Sequence, residues 1–257
     1  MIPEYKVELK ALSKENLGGL ILLEEKFFAK HAKELPMLAG ESRIKTVNEF
    51  LKNERLGKIN LEEASNFLSG YGLLDPLFAD DKIEEILIDD IRNPILIVHR
   101  ELGKMKTNLQ FTDLEEVDRF IRKVKLFSGV KADKQIVDAQ LPENIRVNVT
   151  LPPTSFRTPS ITIRKYLEEP PSIASLIKNK TLDCEIASFL WLCIEGLGLA
   201  PQNIVIAGIA ACGKTTILNA LMAFTRESER IISIEDTLEL DLGYQEDWVR
   251  MKSSDEV

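Results

Sequence analysis

The chain has 257 residues, 44% of them hydrophobic and 29% charged, with a formal net charge of −8. This length accommodates two domains of ordinary size, each with its own core. The acidic balance speaks against broad nonspecific nucleic-acid binding, no apolar run is long enough to span a bilayer, and two histidines leave zinc or triad chemistry almost nothing to work with.

The N-terminal MIPEYKVELK lacks the hydrophobic core of a secretory signal, and three cysteines without metal-ligand spacing suit reduced thiols in cytoplasm. Residues 1–74 read as a helical leader and N-terminal subdomain. LGGLILLEEKFFAKHAKEL fits a short strand followed by an amphipathic helix, with His31 beside Lys30 and Lys33 as a solvated side chain. From Glu41 to Leu74 the spacing is helical. Ile44, Val47, Phe50 and Leu51 share one face, as do Leu61, Ala64, Phe67 and Leu68, until Ser69, Gly70, Tyr71 and Gly72 interrupt.

Residues 75–166 read as a mixed α/β domain. Ile83, Ile86, Leu87 and Ile88 predict a strand, and the surrounding Asp80, Asp81, Glu84, Glu85, Asp89 and Asp90 fit no metal cage, so they read as a solvated acidic rim. Ile95 to Val98 begin a hairpin that turns near Gly103. Thr112, Asp113 and Glu115 open a helix whose buried stripe is Val117, Phe120, Ile121, Val124 and Phe127, stopped by Gly129. In LPENIRVNVTLPP, Ile145, Val147, Val149 and Leu151 alternate with Asn144, Arg146, Asn148 and Thr150, so Arg146 projects from the polar face of a strand. A basic group so placed ordinarily pairs with a surface carboxylate or with water. A second short strand, SITIRKY, carries Arg164 and Lys165.

Residues 167–172 are a proline-marked linker, and 173–257 form the second domain. Ser172 begins a short helix. Asp183 caps a longer one, CEIASFLWLCIEGL, whose nearly continuous apolar character predicts burial, and Gly196 and Gly198 end it. NIVIAGIAACGKTT follows: Ile204, Val205 and Ile206 as a buried strand, then Gly208, Gly213, Lys214 and Thr215 in the pattern G-x-x-x-x-G-K-[ST], then a helix. The backbone N–H groups of Gly208, Ile209, Ala210, Ala211, Cys212, Gly213, Lys214, Thr215 and Thr216 would wrap the polyphosphate of ATP, in the field of the helix N-terminus. Lys214 would reach the β- and γ-phosphates and Thr215 would offer its hydroxyl to Mg2+, while Gly213 leaves room where any side chain would collide with phosphate. Cys212 is alkylatable but incidental. A strand from Arg230 to Ile234 then ends in Glu235 and Asp236, acids at the C-terminal end of a parallel strand, where open α/β sheets bind ligands. Such a carboxylate can orient or deprotonate an attacking water.

Together these stretches resemble the secretion ATPase superfamily of type II and type IV secretion, type IV pili and archaeal archaella, over roughly residues 75–257. The phosphate loop matches, RIISIEDTLEL resembles the family's acidic Asp box, LPENIRVNVTLPP and SITIRKY resemble the end of its N-terminal domain, and VHRELGKMKTN resembles the archaeal branch. The resemblance implies a mixed α+β N-terminal domain followed by a RecA-like P-loop NTPase domain. It makes Glu235 the candidate catalytic carboxylate, with Asp236 beside it, and makes Arg146, with Arg157 and Arg164, the basic residues swung over the nucleotide phosphates. It implies a homo-hexamer on the cytoplasmic face of a polytopic membrane platform protein, with no nucleic acid. Two positions depart from the usual loop, Cys212 and Ile209, and neither supplies an essential donor.

The RecA-like domain reads as incomplete. MKSSDEV holds no later strand with a magnesium-linked Walker B acid, and the family's His box is absent, so the sequence predicts a C-terminally truncated chain with little turnover alone. Two other classes use the same features: a docking module that binds the platform protein, and a nucleic-acid-dependent P-loop NTPase, which would call for a basic surface.

Overall fold

The structure is a computed structural model that describes residues 2–8, 16–130, 135–166, 170–209, 212–243 and 245–253. Its two compact units are Met1–Tyr166 and Leu167–Val257.

The first unit runs β1 (Glu4–Tyr5), α1 (Leu17–His31), α2 (Gly40–Leu51), α3 (Leu61–Ser69), α4 (Asp75–Ala79), β2 (Ile83–Ile88), β3 (Leu96–His99), β4 (Gly103–Thr107), α5 (Leu114–Ser128), β5 (Ile136–Leu141), β6 (Ile145–Thr150) and β7 (Ser160–Lys165). Its seven strands lie in the order β1-β4-β3-β2-β7-β6-β5. Only the β1–β4 pair is parallel; the others are antiparallel. Along β6 every second side chain, Ile145, Val147 and Val149, is buried, so period-2 patterning has placed one face on the core and left Arg146, Asn148 and Thr150 on the other. The stripe Val117, Phe120, Ile121, Val124 and Phe127 of α5 is buried in the same core, which also takes Leu20, Phe27, Val47, Phe50 and Leu68 from α1, α2 and α3. The helices of the first 74 residues thus share one apolar core with the sheet. Lys165, buried at the end of β7, donates to the carbonyls of Leu77 (3.1 Å) and Asp80 (2.7 Å) and ties α4 to the sheet.

Two readings of this unit change. His31 is not a solvated side chain: it is 16% exposed and its ring lies 4.9 Å from that of Phe27, because residues four apart on a helix are neighbours. Nor is the acidic rim all free in water, since Asp80 accepts from the Tyr5 hydroxyl, a bond that holds its carboxyl below the usual range, and Asp90 pairs with Arg92.

The second unit holds α6 (Ile173–Lys178), α7 (Cys184–Glu195), α8 (Lys214–Met222), β8 (Ile231–Glu235) and β9 (Trp248–Lys252). The two strands pair in parallel, Ile231 opposite Trp248 through Glu235 opposite Lys252. Ser172 and Asp183 cap their helices as expected, accepting from Ser175 N at 3.2 Å and from Ile186 N at 2.7 Å. Gly196 ends α7 at φ 71°, where a Cβ would come within 2.5 Å of the Pro201 nitrogen. The expected burial of α7 does not hold: Ala187 is buried, but Phe189 is 64% exposed and Ile186, Trp191 and Leu192 are exposed too. Continuous apolar sequence records a helix's need for cover, and among the described residues little covers this one. Ile204, Val205 and Ile206 likewise form no strand, and Val205 is 89% exposed, because among the described residues the run gains no ladder partner to bond its backbone. The chain as a whole is mixed α/β with one large mixed sheet.

Candidate nucleotide site

The phosphate-loop residues Ala210 and Ala211 lie outside the described residues; the rest are placed around the start of α8. Gly213 takes φ 89°, a conformation that side chains other than glycine's strongly resist, and hands the chain to Lys214 as the first helical residue. Among the described residues no side chain caps this N-terminus, so its first N–H groups are left without a side-chain acceptor there. The loop folds back on its own start: a Cβ on Gly208 would stand 2.5 Å from Cys212 Sγ. Lys214 Nζ donates to the Ile209 carbonyl at 2.7 Å and lies 4.0 Å from Cys212 Sγ, so its ammonium is held against the loop, while Thr215 and Thr216 sit half-buried in the first turn of α8. Left-handed glycine, uncapped amides and adjacent ammonium together fit a polyphosphate, with Gly208, Ile209, Cys212, Gly213, Lys214, Thr215 and Thr216 as the described residues to hold it. Among the described residues no three His, Cys, Asp or Glu side chains gather to bind a metal; in the first turn of α8 the hydroxyls are those of Thr215 and Thr216.

Glu235 closes β8. Its Oε1 accepts from Ser233 Oγ at 2.9 Å, and its Oε2 accepts from the backbone N–H groups of Glu239 (2.8 Å) and Leu240 (2.9 Å). Ser233 Oγ in turn accepts from Trp248 Nε1 at 3.1 Å, so the carboxylate is oriented from two sides. An ionised carboxylate has about four acceptor positions, and these bonds leave room for a further donor such as water. Asp236 accepts from Ser253 Oγ. The buried Asn219 of α8 accepts from Asp241 N at 3.1 Å, which stitches the loop after Glu235 to the phosphate-loop helix.

The arginines belong to the first unit. Arg146 donates through Nε and Nη2 to the two oxygens of Asp138, at 2.9 and 2.7 Å. Those bonds push its guanidinium, already a permanent cation, further from deprotonation. Antiparallel register sets Arg146 directly opposite Arg164, whose Nη2 lies 3.9 Å from Glu84. Arg157 is exposed in the turn between β6 and β7, its guanidinium 5.0 Å from the Phe156 ring centre. The structure therefore brings Arg146 and Arg164 together on one sheet face and leaves Arg157 on a loop.

The family model of the type II/IV secretion system protein matches residues 81–254. The chain belongs to this family. Among curated relatives, uncharacterized protein MJ0781 of Methanocaldococcus jannaschii is 38% identical over 177 residues, covering 68% of this chain and 24% of the relative. Type IV secretion system protein VirB11 of Bartonella quintana is 28% identical over 221 residues, covering 73% of this chain and 61% of the relative. A solved VirB11 ATPase from the Brucella suis type IV secretion system, in complex with sulphate, is 22% identical with a TM-score of 0.36, over 70% of this chain and 59% of that one. The chain spans only about a quarter to a third of the first curated relatives' length, 24% and 34%.

In this type II/IV secretion system chain, sequence reasoning missed Asp138, Ser233, Asn219 and Trp248. Asp138, Asn219 and Trp248 each act through a partner on another element, Ser233 through Glu235 two residues on in its own strand, and only the strand pairing could have disclosed Asp138 or Trp248. Asn219 leaves a fainter signal, a polar residue on the face of a helix that also buries Ala220 and Leu221.

Proposed function

We propose that residues Gly208 to Thr216 bind ATP with Mg2+, and that the whole protein hydrolyses it to drive protein secretion or the assembly of a type IV pilus or archaellum. The observation that carries the reading is the uncapped N-terminus of α8, entered through Gly213 at φ 89° with Lys214 folded beside it. The loop and helix amides bind the phosphate oxygens, and the Lys214 ammonium exchanges the Ile209 carbonyl for them. The Thr215 hydroxyl would hold Mg2+, which supplies charge neutralisation on the phosphates when bound. Glu235, its orientation fixed by Ser233 and two backbone amides, orients the attacking water through its remaining acceptor position. Asp236 supports that turn through Ser253. Arg146 and Arg164 offer paired guanidiniums to phosphate oxygens, where they neutralise developing charge.

Membership of the type II/IV secretion system family supports this reading. In it, residues 75–166 form the N-terminal domain, 173–257 belong to a RecA-like domain, and the protein works as a homo-hexamer held at the cytoplasmic face of the membrane by a platform protein. No helix among the described residues is long and apolar enough to cross a membrane.

Titration of this chain with a fluorescent ATP analogue in Mg2+ tests the core of the proposal. Lys214→Ala should weaken binding at least about tenfold, the scale of one lost charge-assisted contact to phosphate. Equal affinity in a variant with an unchanged melting temperature would overturn the reading.

A further inference from the structure

The face of the large sheet opposite the apolar core carries Arg146 and Arg164 side by side. Like charges directly opposite across an antiparallel pair repel, so each needs a counter-ion. Arg164 has Glu85 opposite it on β2 and the Glu84 carboxylate 3.9 Å away, a loose arrangement. Arg146 is held differently. Asp138, reaching over diagonally from the neighbouring β5, closes a two-pronged bond on Nε and Nη2 at 2.9 and 2.7 Å. That edge of the guanidinium is the one that binds carboxylate and phosphate alike, because both offer two oxygens at matching spacing. Both partners are nearly half exposed, so water and dissolved anions reach the pair and exchange is open. Among the described residues β5 is an edge strand of the sheet, paired only with β6, which leaves Asp138 at a margin of the sheet.

We propose that Asp138 is an internal competitor for Arg146: it occupies the guanidinium edge that a phosphate-bearing ligand would take, and so sets the threshold at which such a ligand engages the arginine pair. The inference rests on reading Arg146 as a phosphate contact. Asp138 touches no ligand in this scheme; it is a positioning residue that acts through Arg146. Loss of its charge turns the patch more basic and frees the fork.

The test uses the full chain, with the Arg146 Nε–H resonance as reporter and sodium tripolyphosphate as probe at fixed ionic strength. In wild type the resonance should shift on titration; in Asp138→Asn the midpoint should fall about fivefold, the scale of coupling in an exposed ion pair. Asp138→Ser should behave the same way, and serves should the asparagine variant lose the fold, as judged by its melting curve. A shift with the same midpoint in wild type and in both variants overturns the competitor role and leaves Arg146 as a phosphate contact. No shift of Arg146 in any of the three overturns the reading of Arg146 and the competitor role with it. A purely structural Asp138 would change melting temperature without moving the midpoint, which also overturns the proposal.

Discussion

Arg43 is 2% exposed and charged, and its surroundings explain how the core tolerates it. Its guanidinium donates to the carbonyls of Leu38 (2.9 Å) and Ser69 (3.2 Å) and to the Tyr71 hydroxyl (3.3 Å), pairs with Glu143 at 2.5 Å, and lies 3.8 Å from the Phe127 ring centre. The Tyr71 hydroxyl in turn donates to Glu143 at 2.8 Å, and burial raises its pKa well above the ordinary phenol value. Glu143 sits in the turn between β5 and β6, so the network fastens the helical layer to the hairpin that carries Asp138 and Arg146. A buried cation that loses its anion costs far more than the pair contributes when intact. Glu143→Gln should therefore destabilise the protein by about 2 kcal/mol, less than for a fully buried pair because Glu143 keeps some contact with solvent. Equilibrium urea unfolding measures it, with an unchanged slope marking a true loss of stability.

At the scale of elements, α5 shows local sequence dictating an end. Asp113 accepts from Glu116 N at 2.8 Å, while the Glu116 carboxylate reaches back to Thr112 N at 3.0 Å, a reciprocal pair that satisfies one free N–H of the helix's first turn and the N–H of the residue before the cap. Asp113→Ala should cost about 1 kcal/mol at pH 7. The Glu116 amide bond depresses the folded-state pKa of Asp113, so the cap's pH-linked contribution is complete above the unfolded carboxyl value of about 3.9 and is lost as pH falls through the lower folded value. The gap between wild type and variant should shrink from pH 7 to pH 3 in parallel urea titrations. This helix, with β6 and β7, was legible because one buried face imposes a period of 3.6 or 2 that survives in the sequence. Strand β5 was missed because its buried set, Val137, Ala139 and Leu141, includes an alanine too small to mark the alternation. The glycine turn into α8 was legible as a spacing of glycines and lysine, yet the pairing of Asp138 was not, since its partner is fixed by strand register and not by sequence distance.

The two units differ in how fully they bury what they must. In the first, the central strands β2 and β7 have ladder partners on both sides and their inward residues Ile86, Ile88, Ile161 and Ile163 have almost no exposure. In the second, Ile234 is 71% exposed, and Ile232 and the register partner of Ile234, Met251, are exposed with it. Parallel strands ordinarily have cover on both faces, and a two-stranded sheet by itself is marginal in water. Local opening should follow that contrast, because amides exchange from whichever opening costs least free energy. Amides of Ile86, Ile161 and Ile163 should exchange only with global unfolding, while those of β8 and β9 exchange orders of magnitude faster and those of Ile204, Val205 and Ile206 close to the unprotected rate. Hydrogen exchange read residue by residue by NMR separates the three classes. Protection at Val205 equal to that at Ile163 would mean that the run before the phosphate loop has a strand partner after all, and that the apolar β-branched sequence there had forecast its structure correctly.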